Sequence, residues 1–339
     1  MRIAVVAPPV TPLAEAQLGG AQAFVADLAR ALQVRGHQVT VYCSEGSALP
    51  GLSLRTVPVA DTVAGALVMP GAQAATGPIP ELRDAFQRMF ELVVADGADA
   101  VSQHSFDAEA IDLAEELPMA VLHTLHLPPI VPAVVAVARA TRRRLATVSA
   151  AAARSWAEAG VACEVIRNGV PVFDAGRPPV LPEAMIAGRI SPEKATHVAV
   201  ELARRAGLRP RVFGTVYDAA YARVHDLRPE ARLPRPELWR VLARCAVTLM
   251  PVEWDEPFGL VAAESQMAGT PVVAYRCGGL PEVVEDGVGG ILIEPGNQAA
   301  FLRGIAAARV LDREAIRASA RRRLSMDVCA AAYERALAA

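Results

Sequence analysis

Short apolar runs alternate along the chain with longer stretches of helical period. Strands are expected at Ile3–Ala7, Gln38–Tyr42, Ala100–Gln103, Ala120–Leu125, Leu145–Val148 and Cys163–Ile166. A second series is expected at Glu183–Ala187, Arg211–Phe213, Val247–Met250, Pro271–Ala274 and Gly290–Ile293. Helices fall between them, over Ala21–Arg35, Glu81–Asp96, Pro192–Ala206, Pro236–Ala243, Leu260–Ala268 and Gln298–Ala308. Strands apolar on both faces, alternating with helices, predict parallel sheets covered on both sides. The stretch "VPVFDAGRPPVLPE" divides the two series, because Pro171, Pro178, Pro179 and Pro182 cannot continue a helix or a central strand. The expected architecture is α/β, with two doubly wound domains that bind ligands beyond the carboxyl ends of their strands. From Thr56 to Pro80 no period holds, and so long an irregular loop in a compact domain is read as functional or mobile.

A length of 339 residues suits two domains, and 53% hydrophobic against 21% charged residues describes a packed globular protein rather than a disordered one. A net charge of −2 gives no support to nucleic-acid binding, and the run Arg142, Arg143, Arg144 is read as a solvated helix face. The five cysteines are scattered without a C-x-x-C pair, which points to free thiols in a reducing, cytoplasmic compartment. "MRIAVVAPP" reads as a first strand rather than a signal peptide, and no run approaches the length of a membrane span. A peripheral membrane contact and the oligomeric state stay open.

Three segments carry candidate chemistry. Gly19 and Gly20 open the first helix, where backbone N–H groups and the helix dipole favour an anion; a flexible turn is the alternative. In "IAGRISPEKATHV" the strand ends at Gly188, Arg189 follows, Ser191-Pro192 reads as N-cap and first helical position, and Lys194 lies in the first turn. Two cations at a strand's carboxyl end, beside a helix N-terminus, suit an oxyanion; pairing of either with Glu193 or with solvent is the alternative. In "DEPFGLVAAESQMAGTP" the N–H groups of Phe258, Gly259 and Leu260 face a helix N-terminus, and Gly269 closes that helix. On one continuous helix Glu256 and Glu264 would lie roughly 80° apart. Pro257 places Glu256 on the loop instead, so the two carboxylates reach different parts of one ligand, and a polyol suits them. The alternatives are a dipole role for Glu256 and a salt bridge for Glu264.

Taken together, "GRISPEK", "EPFGLVAAE" and "GTPVVAYRCGGLPEVVEDGVGGILIEPGN" resemble the retaining nucleotide-sugar glycosyltransferases of family 4, which have the GT-B fold. "RGHQVTVY", "TLH" at Thr124–His126, "ATVS", "VIRNGV" and the closing "RRLSMDVCAAAYERAL" extend the resemblance over most of the chain. It implies two Rossmann-like domains facing across a cleft: an acceptor domain over 1–172, a donor domain over 183–312, and a C-terminal helix over 313–339 that returns to the first domain. It implies that Arg189 and Lys194 hold the donor diphosphate beside Gly188, that Glu264 binds the ribose hydroxyls, and that Glu256 with the N–H groups of Phe258, Gly259 and Leu260 binds the transferred sugar. It implies that Gly19 and Gly20 approach the diphosphate and that His126 contacts a sugar hydroxyl at the reacting centre. His104 and Asn168 are candidate cleft residues, as is His123, for which a core histidine is the alternative. The sequence departs from the family pattern at Ala195, where glycine is usual, at Pro171 after "NGV", and at Met326, where the closing helix often carries tryptophan. The compressed Tyr217–Leu233 segment leaves the base contacts unassigned.

No D-x-D and no cluster with metal-ligand spacing appears, so no metal and no cofactor is expected, and the protein's own cations are read as stabilising the leaving diphosphate. The expected donor is a UDP- or GDP-sugar, and the expected acceptor is a small molecule or a lipid. A sugar-nucleotide epimerase and an inactive nucleotide-sugar-binding protein are the rival readings.

Overall fold

The computed structural model describes residues 1–15, 20–60 and 79–339. Residues 61–78, most of the aperiodic stretch, lie outside them. The chain divides into two compact units, Met1–Arg167 with Cys329–Ala339, and Asn168–Val328.

In the first unit, β1 (Arg2–Val6), β2 (Gln38–Ser44), β3 (Ser53–Val57), β4 (Ala100–Gln103), β5 (Ala120–Leu125), β6 (Arg144–Thr147) and β7 (Glu164–Val165) form one parallel sheet in the order β3-β2-β1-β4-β5-β6-β7. The central strands β1 and β4 are buried on both faces; β1 reads as the apolar run "IAVV", whereas β4, "AVSQ", buries two polar side chains, Ser102 and Gln103. β3, "SLRTV", is a largely exposed edge strand with no apolar alternation, and the sequence reading missed it. On one face Leu82, Phe86, Met89 and Val93 of the helix Pro80–Ala95 pack on Ala4, Val6 and Val101. Each such fully buried side chain contributes about 1.5–3 kcal/mol. The last turns of the helix Met326–Ala338 belong to this unit: the Tyr333 hydroxyl meets Thr124 Oγ1 at 2.9 Å, and Arg35 reaches Glu334 at 2.6 Å. The arginine run is not a helix face. It joins the helix Pro132–Ala140 to β6, with Arg142 in solvent, Arg143 donating to the carbonyls of Glu115, Leu117 and Met119, and Arg144 opening the strand.

In the second unit, β8 (Leu181–Ala187), β9 (Arg209–Phe213), β10 (Cys245–Met250), β11 (Val272–Tyr275) and β12 (Gly290–Ile293) form a parallel sheet in the order β12-β11-β10-β8-β9. Pro182, expected to break structure, lies inside β8. Pairing with β10 steps from Leu181–Cys245 to Ala184–Val247, so β8 carries an extra residue there, and a bulge is where a strand tolerates a missing N–H. The helix expected over Pro192–Ala206 is split. Pro192–Lys194 is a single 3-10 turn, Ala195 is left-handed at φ 47°, and the α-helix starts at Thr196. This left-handed position is where the family pattern has glycine, the residue that adopts such a φ without strain. The helix Arg313–Leu324 packs on the helix Leu260–Met267 within this second unit.

Candidate active site

Strand order locates the functional ends of both sheets. In the second, the chain leaves β8 first to β9 on one side and then to β10 on the other, so the switch point lies between β8 and β10. Gly188 and Arg189 follow β8, and the loop Pro251–Gly259 follows β10. The candidate residues of this unit therefore gather where a doubly wound sheet binds its ligand. The two loops are also joined directly, Glu253 N–H donating to the Glu193 carbonyl at 2.9 Å.

Lys194 Nζ pairs with Glu256 Oε2, and the Trp254 indole N–H donates to the same oxygen at 2.8 Å. Trp254 also lies beneath both cations, 4.8 Å from Lys194 Nζ and 5.6 Å from the Arg189 guanidinium, with Tyr217 on Arg189 at 5.8 Å. Arg189 makes a long 3.4 Å contact to Glu193, whose carboxylate also takes the Ser191 hydroxyl at 2.7 Å, and Arg189 Nε is buried without a partner. Ser191 thus bonds to Glu193 rather than capping the turn. Arg189 keeps donors for an anion, while Lys194 is shared with Glu256.

The helix Leu260–Met267 begins after Gly259 at φ 95° and is followed by Gly269 at φ 77°. Among the described residues, the N–H groups of Phe258, Gly259 and Leu260 donate to no protein acceptor. Glu256 precedes this helix, on the loop. Its carbonyl accepts from Gly279 N–H at 2.7 Å, and Gly278 lies so close that a Cβ there would fall 2.3 Å from that carbonyl oxygen. Glu264, on the helix, receives Arg235 Nη2 at 2.7 Å and the Trp239 indole at 3.2 Å, both on Oε1. Arg235 stacks over Trp239, and Trp239 lies flat on Phe173 at 4.0 Å. The salt bridge posed as the alternative for Glu264 is therefore present, with Oε2 outside it.

In the first unit the switch point lies between β1 and β4, and His104 follows β4 there, its N–H bonded to the Val6 carbonyl at 2.9 Å. His126 follows β5. Their rings meet, His104 Nδ1 to His126 Nε2 at 3.0 Å, and Ser102 Oγ reaches His104 Nε2 at 2.8 Å. Phe24, from the helix opened by Gly20, sets its ring edge-on to both imidazoles at 5.7 and 5.2 Å. Burial pushes His126 down to about 4 and His104 well below the usual histidine range, with the His126 charge adding to the effect on His104. His123 is not with them: it is fully buried in β5, bonded to Gln103 at 3.3 Å, with burial holding it near 4. Asn168 is buried in the second unit with its Oδ1 unpartnered. Gly20 is the first residue of its helix, and Gly19 lies outside the described residues.

Sequence reasoning missed Trp254, Tyr217, Arg235, Trp239 and Gly278. Arg235 and Trp239 stand at i, i+4 on one helix, a spacing that signals a shared face. Their partner Glu264 is far along the chain, and no local pattern points to it.

Comparison with known proteins covers both units. "Glycosyltransferase Family 4" matches residues 18–172, and "Glycosyl transferases group 1" matches residues 177–323. A D-inositol 3-phosphate glycosyltransferase of Streptomyces griseus is 39% identical over 142 residues, 36% of this chain and 30% of the relative. Glycogen synthase of Mycobacterium tuberculosis is 37% identical over 189 residues, 48% of this chain and 44% of the relative. The matched segments thus span less than half of each of these two relatives. Anabaena HepE, solved with UDP and glucose, superposes with a TM-score of 0.73 at 16% identity over 100% of this chain and 99% of its own. Two parallel α/β units with these matches define a protein of the GT-B glycosyltransferase class. Within that class the chain belongs to the family 4 type.

Proposed function

We propose that the protein is a retaining glycosyltransferase that moves a sugar from a nucleoside-diphosphate sugar to a hydroxyl of a small-molecule or lipid-linked acceptor. The observation that carries this reading is the switch point of the second sheet. There Arg189, Lys194 and the undirected N–H groups of Phe258, Gly259 and Leu260 converge beside two carboxylates. Breaking a bond between an anomeric carbon and diphosphate builds negative charge on the leaving oxygens, and such donors stabilise that charge. Arg189 and Lys194 take the diphosphate, Glu264 the ribose hydroxyls and Glu256 the sugar hydroxyls, while His126 contacts a sugar hydroxyl. Residues 183–312 are assigned the donor and residues 1–172 the acceptor. The UDP and glucose held by Anabaena HepE support a UDP-sugar, with a GDP-sugar the other candidate.

Thermal denaturation of the full chain against a panel of nucleoside-diphosphate sugars tests this. A donor at 100 times its Kd adds about 2.7 kcal/mol, which raises Tm by about 5–11 °C for a unit of this size. Lys194→Ala should abolish most of that shift. No stabilisation by any nucleotide sugar refutes the donor assignment, and a product of inverted anomeric configuration by NMR refutes retention.

A further inference from the structure

Ser102, His104 and His126 form a chain of hydrogen bonds whose direction is set at its buried end. Ser102 is fully buried, and among the described residues its Oγ bonds only to His104 Nε2. A hydroxyl carries one proton. If Ser102 accepted from His104, its own O–H would be left buried without an acceptor, which biases the equilibrium by about tenfold or more. Ser102 therefore donates, and His104 Nε2 accepts. A neutral His104 then holds its proton on Nδ1 and donates it to His126 Nε2. His126 Nε2 is consumed as an acceptor, so a neutral His126 carries its proton on Nδ1, the nitrogen that no protein group engages among the described residues. His126 is partly exposed, unlike His104. A His126 cation would set an Nε2–H against the Nδ1–H of His104, and burial acts in the same direction.

We propose that Ser102 and His104 are positioning residues that lock His126 in the neutral form protonated at Nδ1, so that it offers an N–H donor to an oxygen of the bound sugar. The sugar contact rests on the function proposed above; the lock does not. In this state His126 donates a hydrogen bond and takes no proton from the substrate. Phe24 holds both rings edge-on and connects this geometry to the helix that begins at Gly20.

Two-bond nitrogen–proton correlation spectra of the full-length, histidine-labelled protein at pH 7 read the tautomers directly, without ligand. His104 and His126 should both show the Nδ1–H pattern. An Nε2–H pattern at His126 overturns the proposal. Ser102→Ala removes the directing donor and should mix the two tautomers at His104; an unchanged His104 pattern in that variant also overturns it. His126→Asn keeps an N–H near the Nδ1 position and His126→Gln keeps one near Nε2, so the asparagine variant should retain about tenfold more kcat/KM. The reverse order overturns the donor role. Turnover at the wild-type level in both variants overturns the sugar contact, while the spectra report the lock separately.

Discussion

Gly278 sets how closely the chain can approach Glu256. An added Cβ would fall 2.3 Å from the Glu256 carbonyl oxygen and 2.5 Å from its nitrogen, where real contacts do not come under 3.0 Å. Gly278→Ala must therefore displace the Glu256 backbone by about 1 Å, and a misplacement of that size costs roughly 100-fold in rate where the residue touches substrate. The substitution also holds alanine at φ 52°, costing about 1–2 kcal/mol. Losing the 2.7 Å Gly279–Glu256 hydrogen bond costs about 1 kcal/mol more. Reduced freedom of the unfolded chain offsets about 0.4–1 kcal/mol, leaving about 2 kcal/mol. That lowers Tm by about 4–8 °C. Gly287→Ala is the control: its φ of 80° carries the same conformational term, but nothing lies within 4 Å of the added Cβ. It should cost about 0.5–1 kcal/mol and leave kcat/KM unchanged. Differential scanning calorimetry and steady-state kinetics on both variants decide. A Gly278→Ala protein with wild-type kcat/KM, melting no lower than Gly287→Ala, refutes the reasoning.

If Glu264 Oε2 takes the ribose hydroxyls as proposed, Arg235→Ala should weaken nucleoside-diphosphate binding about tenfold by calorimetry, because it removes the charge-assisted bond that holds Glu264 Oε1; unchanged or tighter binding would make Arg235 a competitor instead. Ala195→Gly should alter the urea midpoint little. Relief of about 1–2 kcal/mol of left-handed strain is set against about 0.8 kcal/mol for a buried methyl and about 0.4–1 kcal/mol of chain entropy, and a loss above 2 kcal/mol would contradict this balance. The first unit should lose stability in acid. His123 sits near 4 when folded against 6.5 in the unfolded chain, so the unfolded state protonates first, and about 3 kcal/mol present above pH 6.5 is lost as pH falls toward 4. Asp107, which burial raises to about 6, acts oppositely and blunts the slope between pH 4 and 6. Urea titrations at pH 4.5 and 7 check the sign, and His123→Gln should reduce the difference without abolishing it, because burial also holds His104 and His126 down.

The parallel core was legible because strands buried on both faces, such as "IAVV" and "VTLM", are apolar at most positions. The same logic fails at β3, where an exposed edge leaves Ser53, Arg55 and Thr56 with no pattern to read. Pro182 misled because the bulge that accommodates it is a property of the pairing with β10, which a single strand does not encode. At the site, glycines, cations and carboxylates were readable as types at fixed spacing. What they touch was not. Lys194 meets Glu256 and Arg235 meets Glu264 only after the sheet assembles, and Trp254 gains its role from two cations that follow a different strand.

The chain has three tryptophans, and their placement makes its own fluorescence informative. Trp156 is fully buried, with its indole on the Leu127 carbonyl at 3.0 Å. Trp239 and Trp254 each donate to one of the two carboxylates, Glu264 and Glu256. Hydroxyls arriving at either carboxylate alter the field at the adjoining indole, while Trp156 serves as an internal reference. Ultraviolet emission, with one tryptophan at a time replaced by phenylalanine, then separates events at Glu264 from events at Glu256 in real time and without a label.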